Sequence, residues 1–260
     1  MDFKTGRKPA RYTRKSFARG IIMARALDSL GLPPSASSDY VMAVEKVVGD
    51  NWQMLGNDTV GDCTEADTGH QLMLHSANAG TIIIPTEAQV IGRYSLDTGY
   101  DPSNPASDQG GEELSIIANL EKTPFLGVKD LAAGNIDPTN LKHLKWGIQL
   151  FGAVRLGIVC TQAMQDQFAA GKPWDGSGDQ TVLGLHDVPA VKYDADGTIW
   201  IVTWAKLFPT TPQWWASQPQ GPMVEEAHCE MNSAWIEAGG LGASGIDGKQ
   251  LIADLQQVQN

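Results

Sequence analysis

The stretch Asn57-Asp58-Thr59-Val60-Gly61-Asp62-Cys63-Thr64 puts a cysteine behind a glycine turn at the start of an amphipathic helix that runs to Ala79. Far downstream, Gly184-Leu185-His186-Asp187-Val188 opens a strand with a histidine. Unpaired N–H groups and the helix dipole favour a thiolate at a helix N-terminus. A histidine from another element can take the thiol proton. The carboxamide of Asn57, six positions before Cys63, can donate to the oxyanion that forms when sulfur attacks a carbonyl. Thr59 or Asp62 is the expected cap of the helix, with Asp62 directed to solvent or to the cap.

The other elements follow from periodicity and punctuation. Residues 1–20 read as extended, and a short helix is expected over Phe17–Leu30. Leu32-Pro33-Pro34-Ser35 reads as a polyproline-like loop. Tyr40–Val48 is either helix or strand. Further helices are expected from Pro85-Thr86-Glu87 to Leu96, over Glu112–Thr123 and over Thr139–Phe151. Ala153–Val159 alternates and is rich in β-branched residues. His186–Tyr193, the turn Asp194-Ala195-Asp196-Gly197 and Thr198–Trp204 read as a hairpin. Met223–Glu237 is expected to be helical, followed by a glycine-rich connection and a terminal helix over Lys249–Val258. Helices precede strands, which implies an α+β fold with two lobes.

With 42% hydrophobic and 19% charged residues, the chain can bury a sizeable core. Its net charge of −11 is uneven: residues 1–25 hold eight basic residues against Asp2 alone, +7, which leaves −18 on the rest. An acidic body argues against nucleic acid as a partner. The basic arm on its own suits nucleic acid, an acidic partner, or the body of its own or a neighbouring subunit. Cys63, Cys160 and Cys229 are too few and too widely spaced for a disulfide framework, so synthesis in a reducing, cytoplasmic compartment is expected. No apolar run is long enough to span a membrane, the N-terminus lacks a signal-peptide core, and Asp2 excludes myristoylation. No cofactor is expected. Cys63, Asp67 and His70 share a helical face, but they lack the fourth ligand of a structural zinc site, so no metal is expected either. His75, His143 and His228 read as surface or core histidines.

These residues resemble the papain-like cysteine peptidases, in which a helix-starting cysteine faces a strand-opening histidine of a β-rich lobe and a carboxamide six residues before the cysteine helps form the oxyanion hole. The matching positions are Cys63, His186 and Asn57. The resemblance extends to the hairpin, where Ile199–Ala205 matches the strand carrying Asn-Ser-Trp-Gly, and the family's orienting asparagine falls on Val202. It implies an arm and linker over 1–35, a papain-like domain over 36–238 with a helical lobe at about 52–151 and a β lobe at about 152–220, and a connection and terminal helix over 239–260. Three segments, Gly6–Arg11, Trp52–Cys63 and Tyr94–Tyr100, are also similar to those of bacterial and phage-encoded papain-like proteins. Two functions are therefore expected as alternatives. One is a cysteine hydrolase acting on a peptide-like substrate through a Cys–His pair. The other is a non-catalytic virion protein, capsid-decorating or tail-associated, that docks on its neighbours through the basic arm.

Overall fold

In a computed structural model the described residues are 4–30, 35–217, 223–240 and 246–258; the expected loop Leu32–Ser35 and much of the glycine-rich connection lie largely outside them. The helices are α1 (Arg14–Asp28), α2 (Met42–Val48), α3 (Cys63–Asn78), α4 (Glu87–Thr98), α5 (Glu113–Lys122), α6 (Leu141–Phe151), α7 (Gln162–Ala169), α8 (Pro212–Ala216), α9 (Ser233–Glu237) and α10 (Gly248–Gln257). The strands are β1 (Ser38–Asp39), β2 (Asp130–Asn135), β3 (Val154–Thr161), β4 (Val182–Tyr193), β5 (Ile199–Thr203), β6 (Lys206–Thr210) and β7 (Val224–Asn232). The sheet is antiparallel, ordered β2-β7-β3-β4-β5-β6, with β1 paired to β4.

The expected helices and the hairpin form as their caps and turns dictate. Thr86 closes a reciprocal capping box with Gln89 at α4, and Asn140 accepts from His143 N–H at α6. Tyr40–Val48, open between helix and strand in the sequence, is helical as α2 from Met42, and the two-residue β1 ends just before Tyr40. One expectation fails outright: Met223–Glu237 is not a helix but β7 followed by the single turn of α9. Glu, Ala and Met favour helices locally, but β7 lies between β2 and β3, where sheet pairing and burial on both faces override that preference. Glu226, His228 and Glu230 then share one face of the strand, two residues apart. The unexpected β2 draws a segment that the sequence assigned among the helices into the sheet.

α3 is the central element, buried at every residue from Cys63 to Ser76. A helix so enclosed must satisfy its polar side chains internally. Gln71 donates to Asp67 at 2.7 Å and Glu230 at 3.1 Å, while His70 and His75 use Nε2 on the carbonyls of Gln53 and Phe151, at 3.0 and 2.9 Å. Arg155 of β3, fully buried, crosses to the helix: Nη1 donates to Thr64 O at 2.9 Å and to Asp187 at 2.7 Å, Nη2 to Thr68 Oγ1 at 2.9 Å, and Nε to Glu230 at 2.8 Å.

Two predictions follow from this interior. Replacing Arg155 by Met should lower stability to urea by roughly 3–5 kcal/mol, because Asp187 and Glu230 are left buried without their cation. Burial also pushes Glu65 up to about 8, and burial with the neighbouring Glu65 charge pushes Asp62 up to about 9. The native state holds these protons, whereas the unfolded chain releases them from about pH 4 upward, so stability is lost as pH rises towards those values. His70 and His75, both lowered to about 4 by burial, act in the opposite sense, but only below about pH 6.5. The melting temperature should therefore fall from about pH 6.5 to about pH 9, and Asp62→Asn should flatten that decline. A flat wild-type profile in this window would contradict the assignment.

Candidate active site

Cys63 opens α3 as expected, directly behind the Gly61 turn. That turn is tied to a second loop: Gly61 N–H donates to Asp108 at 3.0 Å, and Asp108 also accepts from Tyr94 Oη at 2.7 Å. The sulfur is buried, and the backbone N–H groups of Asp187 and Gly6 lie near enough to favour its thiolate. The first lies one residue after His186, so α3 and β4 meet at the sulfur. Burial and then the Asp187 carboxyl nevertheless push the thiol well above its ordinary value, outweighing the helix N-terminus.

His186 is buried in β4 with its ring stacked on Trp204, centroids 4.9 Å apart and planes inclined by 14°. Its Nε2 lies 3.0 Å from Thr203 Oγ1, while Nδ1 is buried with no hydrogen-bond partner. With Nε2–H donated to Thr203, Nδ1 carries the lone pair. Burial, then the Arg7 charge and His70, lower the imidazole to about 3, so it is neutral. The orienting position is thus Thr203, one residue beyond the expected Val202. Successive strand residues point to opposite faces, and Val202 packs into a cluster with Val191 and Trp52. Trp204 and Ala205, between the paired Thr203 and Lys206, have φ of 43° and 68°. A two-residue hairpin of this twist needs positive φ, at some strain in residues other than glycine.

Asn57 is buried and lines one small cavity with His186, Thr203 and Trp204. Its amide donates to Val60 O at 3.5 Å, and both oxygens of the neighbouring Asp62 carboxyl are buried without a hydrogen-bond partner. Asp62 is fully buried and makes no capping bond, contrary to the expectation that it faces solvent or caps α3. The burial that raises it keeps it protonated near neutral pH, so it places no full negative charge beside the thiol.

The N-terminal segment runs through the groove over Cys63. Arg7 N–H donates to Leu185 O at 3.1 Å, Gly111 N–H to Gly6 O at 2.9 Å, and Lys8 N–H to Gly111 O at 2.6 Å. Gly6 lies so close to Gly61 that a Cβ on it would overlap the Gly61 carbonyl. The Arg7 side chain is fully buried against Glu226, Glu225 at 2.5 Å and Glu113 at 3.5 Å. His228 Nε2 stands 3.3 Å from Glu226 and 3.5 Å from Glu113. Among the described residues, Glu113, Glu226 and His228 alone form a group of metal-ligating geometry, with ligand atoms within 4.8 Å of one another, and the Arg7 guanidinium is the cation lodged against it. His228 is therefore no idle core histidine. The period-two spacing Glu226-x-His228-x-Glu230 is the signal that a helical reading of the segment hides. Cys63, Asp67 and His70 do not converge on an ion, since His70 bonds Gln53 O and Asp67 accepts from Gln71. Cys160 and Cys229 are buried free thiols.

No family profile and no curated protein sequence matches the chain. Its fold does match solved structures. Xylellain, a cysteine protease from Xylella fastidiosa, superposes with a TM-score of 0.60 at 14% identity over 88% of this chain and 97% of its own. A cysteine protease from Carica candamarcensis, solved in complex with E-64, gives 0.51 at 16% identity over 75% and 98%. At such identities the likeness speaks for the backbone alone. The helix that starts at Cys63, the antiparallel sheet that carries His186 and these two structural likenesses together identify the architecture of this chain as the papain-like cysteine protease fold.

Proposed function

We propose that the chain is a cysteine hydrolase, peptidase or amidase, held at rest by its own N-terminal segment. The observation that carries this reading is the approach of the Cys63 sulfur to the peptide N–H next to His186, whose Nδ1 is buried and unpartnered. Cys63 attacks the carbonyl carbon of an amide and passes its proton to His186 Nδ1. The Cys63 N–H and the Asn57 amide, once turned from Val60 O, stabilise the oxyanion. The amine leaves with the proton from His186, and water, deprotonated by the same nitrogen, cleaves the thioester. Thr203 holds the imidazole by Nε2 in place of a carboxamide, and Trp204 covers that bond.

With the segment seated, both members of the pair are uncharged. Burial and the Asp187 carboxyl hold the proton on sulfur, while burial and the Arg7 charge keep it off the imidazole. Lifting the segment wets the groove, which raises the histidine and lowers the thiol.

A non-catalytic virion component is the second reading, favoured by the same sealed groove and protonated thiol. Alkylation separates the two. In the wild-type chain iodoacetamide should label Cys63 slowly. Gly6→Val, whose side chain cannot fit against Gly61, should raise the rate at mildly acidic pH by about tenfold or more over a free thiol. A sulfur in Gly6→Val that reacts no faster than free cysteine rejects the hydrolase and leaves the structural role. In an active preparation Thr203→Val should lower kcat by about 10–100-fold with little change in KM, as a mispositioned base does.

A further inference from the structure

We propose that the carboxylate pocket now filled by Arg7 is the substrate side-chain pocket of the groove, and that it selects peptides bearing an arginine next to the residue held at the Cys63 sulfur. This rests on the hydrolase reading and adds the substrate class to it. Three carboxylates converge there from two elements, Glu113 from α5 and Glu225 and Glu226 from β7. Glu113 and Glu226 are fully buried, and neither carboxylate oxygen of Glu113 has a hydrogen-bond donor. An apolar side chain entering this site would leave buried acidic groups without a cation or donor, whereas a planar guanidinium offers several donors to carboxylates at once. Gly157 of β3 forms the floor, and a Cβ there would overlap Glu113 and the Arg7 guanidinium. The depth therefore suits a long, unbranched side chain. The backbone beside the pocket is an open template as well, since Leu185 O and both polar groups of Gly111 bond the segment by main chain alone and accept any sequence. Arg7 thus shows how an arginyl peptide is held, with its neighbour Gly6 at the sulfur.

The test uses full-length chain carrying Arg7→Ala and follows its melting temperature with ethylguanidinium or the neutral isostere ethylurea. Ethylguanidinium should restore several degrees of the loss and ethylurea none; equal effects, or no effect from either, overturn the proposal. A chain that folds only when ethylguanidinium is present supports it equally. The second measurement is binding of a labelled octapeptide, Lys-Thr-Gly-Arg-Lys-Pro-Ala-Arg, to the full-length Gly6→Val chain. Citrulline in place of the first arginine should weaken binding by about tenfold or more, and Glu226→Gln should erase that preference. Equal affinity for the two peptides overturns the pocket assignment. Neither readout needs turnover. Selective rescue and binding without cleavage of any peptide would defeat the hydrolase reading and leave the arginine pocket standing.

Discussion

The Arg155 guanidinium is the interaction on which the site depends. It stands on β3 and reaches the helix that begins at Cys63, the strand that carries His186 and Asp187, and Glu230 of β7. Those elements come from distant parts of the chain, and apolar packing alone leaves their relative register loose by a residue or more. Arg155 removes that freedom, because Thr64 O, Thr68, Asp187 and Glu230 meet its fork in one arrangement only. Burial works to raise Glu230, but Arg155 prevails and holds it at about 2. A hydrophobic side chain of similar volume can stabilise an interior as well as an ion cluster does. What the cluster adds here is geometry: with Asp187 tied to Arg155, its backbone N–H stays near the Cys63 sulfur.

Arg7 repeats the arrangement at the groove. Again one guanidinium neutralises carboxylates that converge from separate elements, but this one stands on a segment held otherwise by a few backbone bonds and a glycine contact. The two arginines divide the work. Arg155 is locked inside the sheet–helix interface, whereas Arg7 stands on the segment that lies beside Gly61 and Leu185. Because the charge of Arg7 also depresses His186, closure acts on proton affinity as well as on access.

The parts of this structure that obey local rules are legible in the sequence. Cys63 after a glycine turn, the capping box at Thr86 and the hairpin at Asp194–Gly197 each follow from a few neighbouring residues. The failures share one cause, burial of charge by distant partners. Asp62 reads as a surface cap until the loop around Gly56 and Asn57 encloses it. The glutamates and histidine of β7 read as residues of a helix until Arg7 and Arg155, remote in sequence, supply their counter-charges. Arg155 itself reads as one residue of an alternating strand. The displacement of the orienting group from Val202 to Thr203 is subtler. The strand is legible in the sequence, but which of its faces meets His186 depends on register against β4, which only the folded sheet sets.

This distribution of charge constrains how the groove can open. Glu113 and Glu226 are buried side by side, and burial holds the Glu113 carboxyl well above its ordinary range, so emptying the site of Arg7 leaves buried acidic groups without their cation. Exchange of one cation for another avoids this. The segment is therefore displaced more readily by a ligand that brings its own positive charge than by thermal opening to an empty pocket. The same exchange returns a cation to the neighbourhood of His186, so the imidazole regains its basicity through hydration of the groove rather than through loss of the charge beside it. On the proposed reading, a ligand without that charge leaves the carboxylates that Arg7 now pairs without a cation.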